Sequence, residues 1–201
     1  MTALRGTVAP GFAPVRDAFL ENFDVRGELG AAVCVVVDGQ VVADLCAGEA
    51  RPGVPWDADT LAVVFSTTKG PTALTLQALA DRGELDVGRR IAELWPGFGA
   101  EGKDAITIRH VLTHTSGAID FPGYQVAVHD EDWWLDLDRI AADLERSEPA
   151  WEPGTAHGYH GVTFGLILGE VVRRATGSTL GTVFRDLIAG PLGAEIWIGL
   201  P

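Results

Sequence analysis

Ser66 and Lys69 stand three residues apart in Ser66-Thr67-Thr68-Lys69. If Ser66 opens a helix, that spacing puts a hydroxyl and an amine on one face, a turn apart. A serine hydroxyl is a weak nucleophile until a neighbouring base takes its proton. Lysine fills that role only as a neutral amine, a state favoured by burial or by other positive groups nearby. A helix start also offers free N–H groups and the positive dipole end to a nascent oxyanion. Composition singles out the amine: of 15 basic residues, Lys69 and Lys103 are the lysines and the rest are arginines. Arginine keeps its proton in a protein, so a lysine retained in such a chain raises the question of whether an amine is needed there. Lys103, in Glu101-Gly102-Lys103-Asp104, reads as an ordinary solvated loop charge.

Tyr159 supplies the second component. It sits in His157-Gly158-Tyr159-His160-Gly161, a glycine-flanked turn, where an exposed hydroxyl either serves function or anchors the loop. Other reactive side chains fit plainer roles. His110 and His114 are four apart, as zinc pairs are, but the glutamate of H-E-x-x-H is absent, so capping or core packing is expected. His157 and His160 read as turn packing. Ser116 lacks the G-x-S-x-G setting of an α/β-hydrolase elbow. No Gly-rich phosphate loop is present. Trp133-Trp134 either line a pocket or fill core, and core is the default.

Several elements must position these groups. Phe12, Val15, Phe19 and Phe23 predict an amphipathic helix over residues 12–26. Valine-rich runs Ala31–Val37 and Gln40–Cys46 flank Asp38-Gly39, a type I′ hairpin signal. The first run is apolar on consecutive residues, which predicts cover on both faces. In a two-residue hairpin Cys34 faces Ala43, too far from Cys46 for a disulfide. The run Leu61–Phe65 reads as a strand leading into Ser66. Residues 66–82 read as a helix capped by Gly83, with Gly70-Pro71 awkwardly inside its first turns. A short helix is expected over 107–113. A surface helix is expected over 130–148, where eight acidic residues accompany Leu137, Ile140 and Leu144. Residues 151–154 read as a turn. Residues 162–175 read as a buried helix closed by Arg173-Arg174 and Gly177.

The chain has 201 residues, 47% hydrophobic and 21% charged, enough for one domain with a sizeable core. Its net charge of −13 repels phosphate backbones and anionic lipid, so nucleic-acid and membrane roles are not expected. No segment approaches the ~20 apolar residues of a membrane span. The first ten residues lack the apolar stretch of a secretory signal, so a cytoplasmic location is expected. Cys34 and Cys46 form no C-x-x-C pair, which argues against zinc-ribbon and redox motifs.

Taken together, Phe65-Ser66-Thr67-Thr68-Lys69-Gly70, Leu79–Leu85, Ile106–Gly117 with its His114-Thr115-Ser116-Gly117, Glu152-Pro153-Gly154-Thr155, Tyr159-His160 and Phe164-Gly165-Leu166 occur in a telling order. With the hairpin, they make the chain resemble the serine β-lactamase, penicillin-binding protein and family VIII carboxylesterase superfamily. The resemblance implies an α/β (α+β) fold of the β-lactamase/DD-peptidase type, an antiparallel sheet with flanking helices plus a mostly helical region. It implies one domain over 1–201, with the N-terminal helix and strands in 1–66 and the helical region in 67–190. It also implies Ser66 as the acylated nucleophile, Lys69 and Tyr159 as the proton-transfer groups, and no metal or organic cofactor. The expected substrate is a small-molecule ester, with β-lactam hydrolysis or D-peptide cleavage as variants and a non-catalytic binding protein as the alternative.

Two departures from the family pattern carry expectations. Gly161 stands where class C β-lactamases have asparagine, which favours esters over lactams. The third family motif, carried on later strands, has no match before Pro201. The domain is therefore expected to be incomplete at its C-terminus, and the chain alone poorly active and poorly soluble, because one lost oxyanion donor costs about 10²–10³ in rate and an open strand edge aggregates.

Overall fold

The computed structural model describes residues 3–199, which divide into two compact units, Met1–Val63 and Val64–Pro201. The first unit contains β1 (Leu4–Val8), α1 (Ala13–Val25), β2 (Gly30–Val37), β3 (Gln40–Arg51) and β4 (Val54–Pro55). The sheet is antiparallel in the order β1-β3-β2, with β4 also pairing with β3. The hairpin forms as expected: Asp38 (φ 49°) and Gly39 (φ 76°) both lie in the left-handed region that a type I′ turn demands. Its register does not. Val36 faces Val41 but Val35 faces Ala43, so Val42 is an extra residue on β3. This bulge shifts Cys34 opposite Asp44 instead of Ala43. Cys34 and Cys46 are free thiols, the first exposed and the second buried.

The expectation that β2 is covered on both faces fails, since Val36 and Val37 are 57% and 41% exposed. The buried strand is β3, because it has a neighbour on each side; Ala43, Leu45 and Ala47 are almost fully enclosed. Phe19 of α1 packs with Leu45 and Ala47 into a small core, its ring meeting Phe23 edge-on at 5.4 Å. The run before Ser66 forms no strand. Leu61, Val63, Val64 and Phe65 are all more than half exposed, and strand propensity without a pairing partner does not hold an extended ladder.

The second unit is helical. A 3-10 turn (Phe65–Thr68) leads into α2 (Lys69–Asp81), followed by α3 (Ile108–Leu112), α4 (Tyr124–Ala127), α5 (Glu131–Leu135), α6 (Leu137–Glu145), α7 (Thr163–Thr176), α8 (Leu180–Phe184) and α9 (Gly190–Leu192). Helix α7 runs through the core, burying Ile167, Leu168, Val171 and Val172 against Leu76 and Leu79 of α2 and residues of α3 and α6. Its C-terminus closes on Gly177 (φ 76°), as the sequence predicts. Arg173 and Arg174 do more than face the helix end. Both bind the buried Glu170 carboxylate, and Arg173 also reaches Asp138 of α6 at 3.1 Å.

Three local expectations change. The single acidic helix over 130–148 is two, α5 and α6. Asp130 caps the first by accepting the N–H groups of Asp132 and Trp133, and Asp136 caps the second by accepting that of Arg139. Pro71 is the third residue of α2, where its missing N–H is one of the donors a helix start leaves unpaired, so the helix accommodates it. Lys103 is not a solvated charge: it is fully buried and donates to the carbonyls of Ala100 (2.9 Å), Glu145 (3.0 Å) and Ser147. Burial pushes its ammonium below the usual lysine value, against the opposing pull of Glu101, Glu145 and Glu148.

Candidate active site

Ser66 lies in the 3-10 turn, one residue after Phe65, whose φ of 44° is a left-handed conformation rare for a bulky residue. Lys69 begins α2 immediately afterwards. The tightened turn keeps the two side chains together, and Lys69 Nζ donates to Ser66 Oγ at 3.1 Å. Tyr159 comes from the loop ahead of α7. Its hydroxyl donates to the same Oγ at 2.7 Å, joining residues 93 apart in sequence. Lys69 Nζ also donates to the Gly161 carbonyl at 2.7 Å and lies 4.7 Å from the centre of the Tyr159 ring and 5.6 Å from that of Phe164. All three side chains singled out in the sequence thus meet at one oxygen. Ser66 and Tyr159 are solvent-exposed and Lys69 is half-buried.

The electrostatics of the cluster follow from these contacts. Hydrogen bonding to Lys69, then to Ser66, holds the Tyr159 phenol below its usual value, with desolvation opposing weakly. The Lys69 amine donates to a carbonyl and a hydroxyl rather than to a carboxylate.

The loop carrying Tyr159 is tied to the turn that follows α3. Gly158 N–H donates to the His114 carbonyl and His160 N–H to His114 Nδ1, both at 3.1 Å. His160 is fully buried. Its Nδ1 lies 2.7 Å from the Gly158 carbonyl and its Nε2 2.5 Å from Ser116 Oγ, which in turn accepts the Ala118 N–H. Trp151 lies against this loop, donating Nε1–H to the Thr115 carbonyl at 3.2 Å; a Cβ at Gly158 would fall 2.3 Å from its ring. Only glycine allows that approach.

The remaining sequence candidates take plainer places. His110 shares a reciprocal cap with Thr107 at the start of α3. Trp133 is core, its Nε1–H donated to Asp143, whereas Trp134 is 40% exposed. Among the described residues no group of three or more His, Cys, Asp or Glu is arranged to hold a metal. The Gly161 carbonyl and the His114 acceptor pair were not legible beforehand. A backbone carbonyl leaves no mark in residue type, and an imidazole that accepts an N–H looks in sequence like any packed histidine.

The helical unit presents a Ser-x-x-Lys turn against a tyrosine loop, and comparison with known proteins gives the family of the chain that carries it. The Beta-lactamase family model matches residues 16–201, so the chain belongs to that family. Among similar proteins, the Esterase/beta-lactamase LipL of Mycobacterium tuberculosis is 39% identical over 202 residues, covering 98% of this chain and 45% of that protein. The crystal structure of a family VIII carboxylesterase superposes with a TM-score of 0.87 at 41% identity, over 99% of this chain and 55% of that one. A penicillin-binding protein homologue from Caulobacter crescentus gives a TM-score of 0.86 at 42% identity, over 100% of this chain and 53% of that one. The chain therefore spans about half the length of the relatives it matches. The antiparallel sheet with flanking helices expected from the sequence is the fold they share.

Proposed function

We propose that this chain carries the acylating centre of a serine hydrolase that cleaves carboxylic esters. The observation that carries the reading is the convergence of Lys69 Nζ and Tyr159 OH on Ser66 Oγ. In the first step Ser66 Oγ attacks the ester carbonyl carbon and its proton passes to the Lys69–Tyr159 pair. A Tyr159 phenolate, favoured by the hydrogen bonds from Lys69 and Ser66, accepts that proton directly, while Lys69 stays beside it, donating to the Gly161 carbonyl. The tetrahedral intermediate collapses, the carbon–oxygen bond to the alcohol breaks, and the pair returns the proton to the departing alkoxide. Water then attacks the acyl-serine, giving its proton to the same pair, and releases the acid as Ser66 regains its hydrogen. Positioned proton transfer of this kind contributes about 10²–10⁴ in rate.

Two observations favour esters over lactams. Gly161 offers no side-chain amide to a lactam substituent, and its carbonyl is engaged by Lys69. Relatives also carry esterase names, LipL and the family VIII enzyme among them. LipL is named for both activities, so β-lactam hydrolysis is the second reading.

The test is active-site labelling with a fluorophosphonate, read by intact mass, alongside turnover of a short-chain aryl ester and of nitrocefin. The expected result is one adduct on Ser66, lost in Ser66→Ala, with the ester turned over faster than the lactam. Faster nitrocefin turnover favours the second reading. A folded sample that takes up no label refutes acyl transfer and supports a binding role.

A further inference from the structure

We propose that His114 is a positioning residue that holds Tyr159 against Ser66, and that it does so only while its imidazole is neutral. This rests on the acyl-transfer reading above, but its structural part stands alone. The two N–H groups that flank Tyr159, those of Gly158 and His160, both end on His114, one on its carbonyl and the other on its ring Nδ1, each at 3.1 Å. One residue therefore brackets the loop segment whose hydroxyl lies 2.7 Å from the nucleophile.

His114 adopts φ 59°, the left-handed conformation of the residue that closes the C-terminal turn of α3, with its own N–H on the Val111 carbonyl and that of Thr115 on the His110 carbonyl. Its ring stacks on Phe164 at 5.1 Å and lies 5.2 Å from the Tyr159 ring. Because Nδ1 accepts a backbone N–H, the ring proton of the neutral form must sit on Nε2. A second proton would have to go to Nδ1, turning the acceptor into a donor that faces another donor. The bond to His160 N–H is then lost and the Tyr159 loop loses half its bracket.

The titratable and charged groups facing the ring are Lys69 from α2, and His157, Tyr159 and His160 from the loop, while α7 contributes the apolar Phe164. Desolvation, followed by His157 and Lys69, holds the imidazole below its usual value. The bracket is accordingly intact at neutral pH and opens in acid.

The test measures the second-order rate of fluorophosphonate labelling at Ser66 from pH 5 to 9 in the wild-type chain, His114→Asn and His114→Gly. Asparagine tolerates the left-handed backbone, offers an acceptor oxygen and does not titrate; glycine keeps the backbone and removes the acceptor. At pH 8 His114→Gly should label about 100-fold more slowly, the scale expected when a reacting group is misplaced by about 1 Å. His114→Asn should recover most of that loss, and the fall in rate on acidification should shrink with the imidazole gone. In parallel, long-range proton–nitrogen NMR of the wild-type ring should show Nε2 protonated and Nδ1 accepting, with the His160 amide protected from exchange until the ring titrates. Labelling of His114→Gly at the wild-type rate, an unchanged acid limb in His114→Asn, or an Nδ1-protonated neutral ring each overturns the proposal. If wild-type Ser66 takes no label, the acyl-transfer reading fails, while the ring tautomer and the His160 amide still decide the bracket.

Discussion

Tyr159 meets Ser66 through a contact that a single oxygen controls, so the phenol can be removed without disturbing the fold. Tyr159→Phe keeps the ring against His114 and Lys69 and deletes only the hydroxyl. Labelling of Ser66 should fall about 10²–10⁴-fold, the range of general acid–base assistance, with melting temperature little changed. Because Lys69 and Ser66 hold the phenol below its usual value, the wild-type labelling rate should also rise on the alkaline side at a lower pH than free tyrosine ionises. Lys103 is the contrasting lysine. It is fully buried, and its ammonium donates to the main-chain carbonyls of Ala100 and, at the end of α6, of Glu145 and Ser147. Lys103→Met fills similar space but strands those carbonyls, and should lower stability by about 2–4 kcal/mol in urea denaturation, leaving Ser66 labelling of the folded fraction intact. Both lysines look alike in composition. Only the partner atoms separate the amine beside Ser66, proposed to react, from a structural one.

At the scale of elements, helix boundaries are decided by single capping residues. The acidic stretch after Asp130 has the periodicity of one helix, yet Asp136 turns its carboxylate onto the Arg139 N–H and starts a second. Asp136→Ala should weaken α6 by about 1 kcal/mol, measured as a shift in denaturant midpoint. Helix α7 shows the reverse, an element whose position and ends the pattern predicted. Its apolar face, terminal arginines and Gly177 are all used where the sequence puts them. What periodicity did not reveal is that Glu170, on the same helix, is buried and paired with both arginines. The hairpin of β2 and β3 falls between these cases. Asp38-Gly39 specified the turn, but the extra residue Val42 reset every pairing beyond it.

Across the whole molecule, two opposing electrostatic effects act on acidification. Protonating histidines reduces the net charge of −13 and so relieves self-repulsion, which favours folding. His114 and His160 act the other way, since burial lowers both below the ordinary 6.5. Between those lowered values and about 6.5 the unfolded chain binds more protons, so their contribution is full above 6.5 and is lost as pH falls through the folded values. At 0.15 M salt the Debye length is about 8 Å, which screens the diffuse repulsion more than the buried groups. The local effect therefore wins. Melting temperature should decline between pH 7 and 5, and His114→Asn with His160→Asn should flatten that decline in calorimetry.

The sequence by itself determined the family, the body of the helix that follows Ser66 (though not the 3-10 turn that holds Ser66 itself), the hairpin turn and the buried course of α7. These depend on short-range rules, the helical period, the left-handed demand of a type I′ turn and the placing of caps, which act between residues a few positions apart. Tertiary structure alone decided that Tyr159 reaches Ser66 across 93 residues, that the Gly161 carbonyl accepts a hydrogen bond from Lys69, and that Lys103 is enclosed. The reason is physical: a hydrogen bond between distant segments depends on where packing brings each backbone. Carbonyls and amides, which every residue carries, leave no trace in the order of side chains.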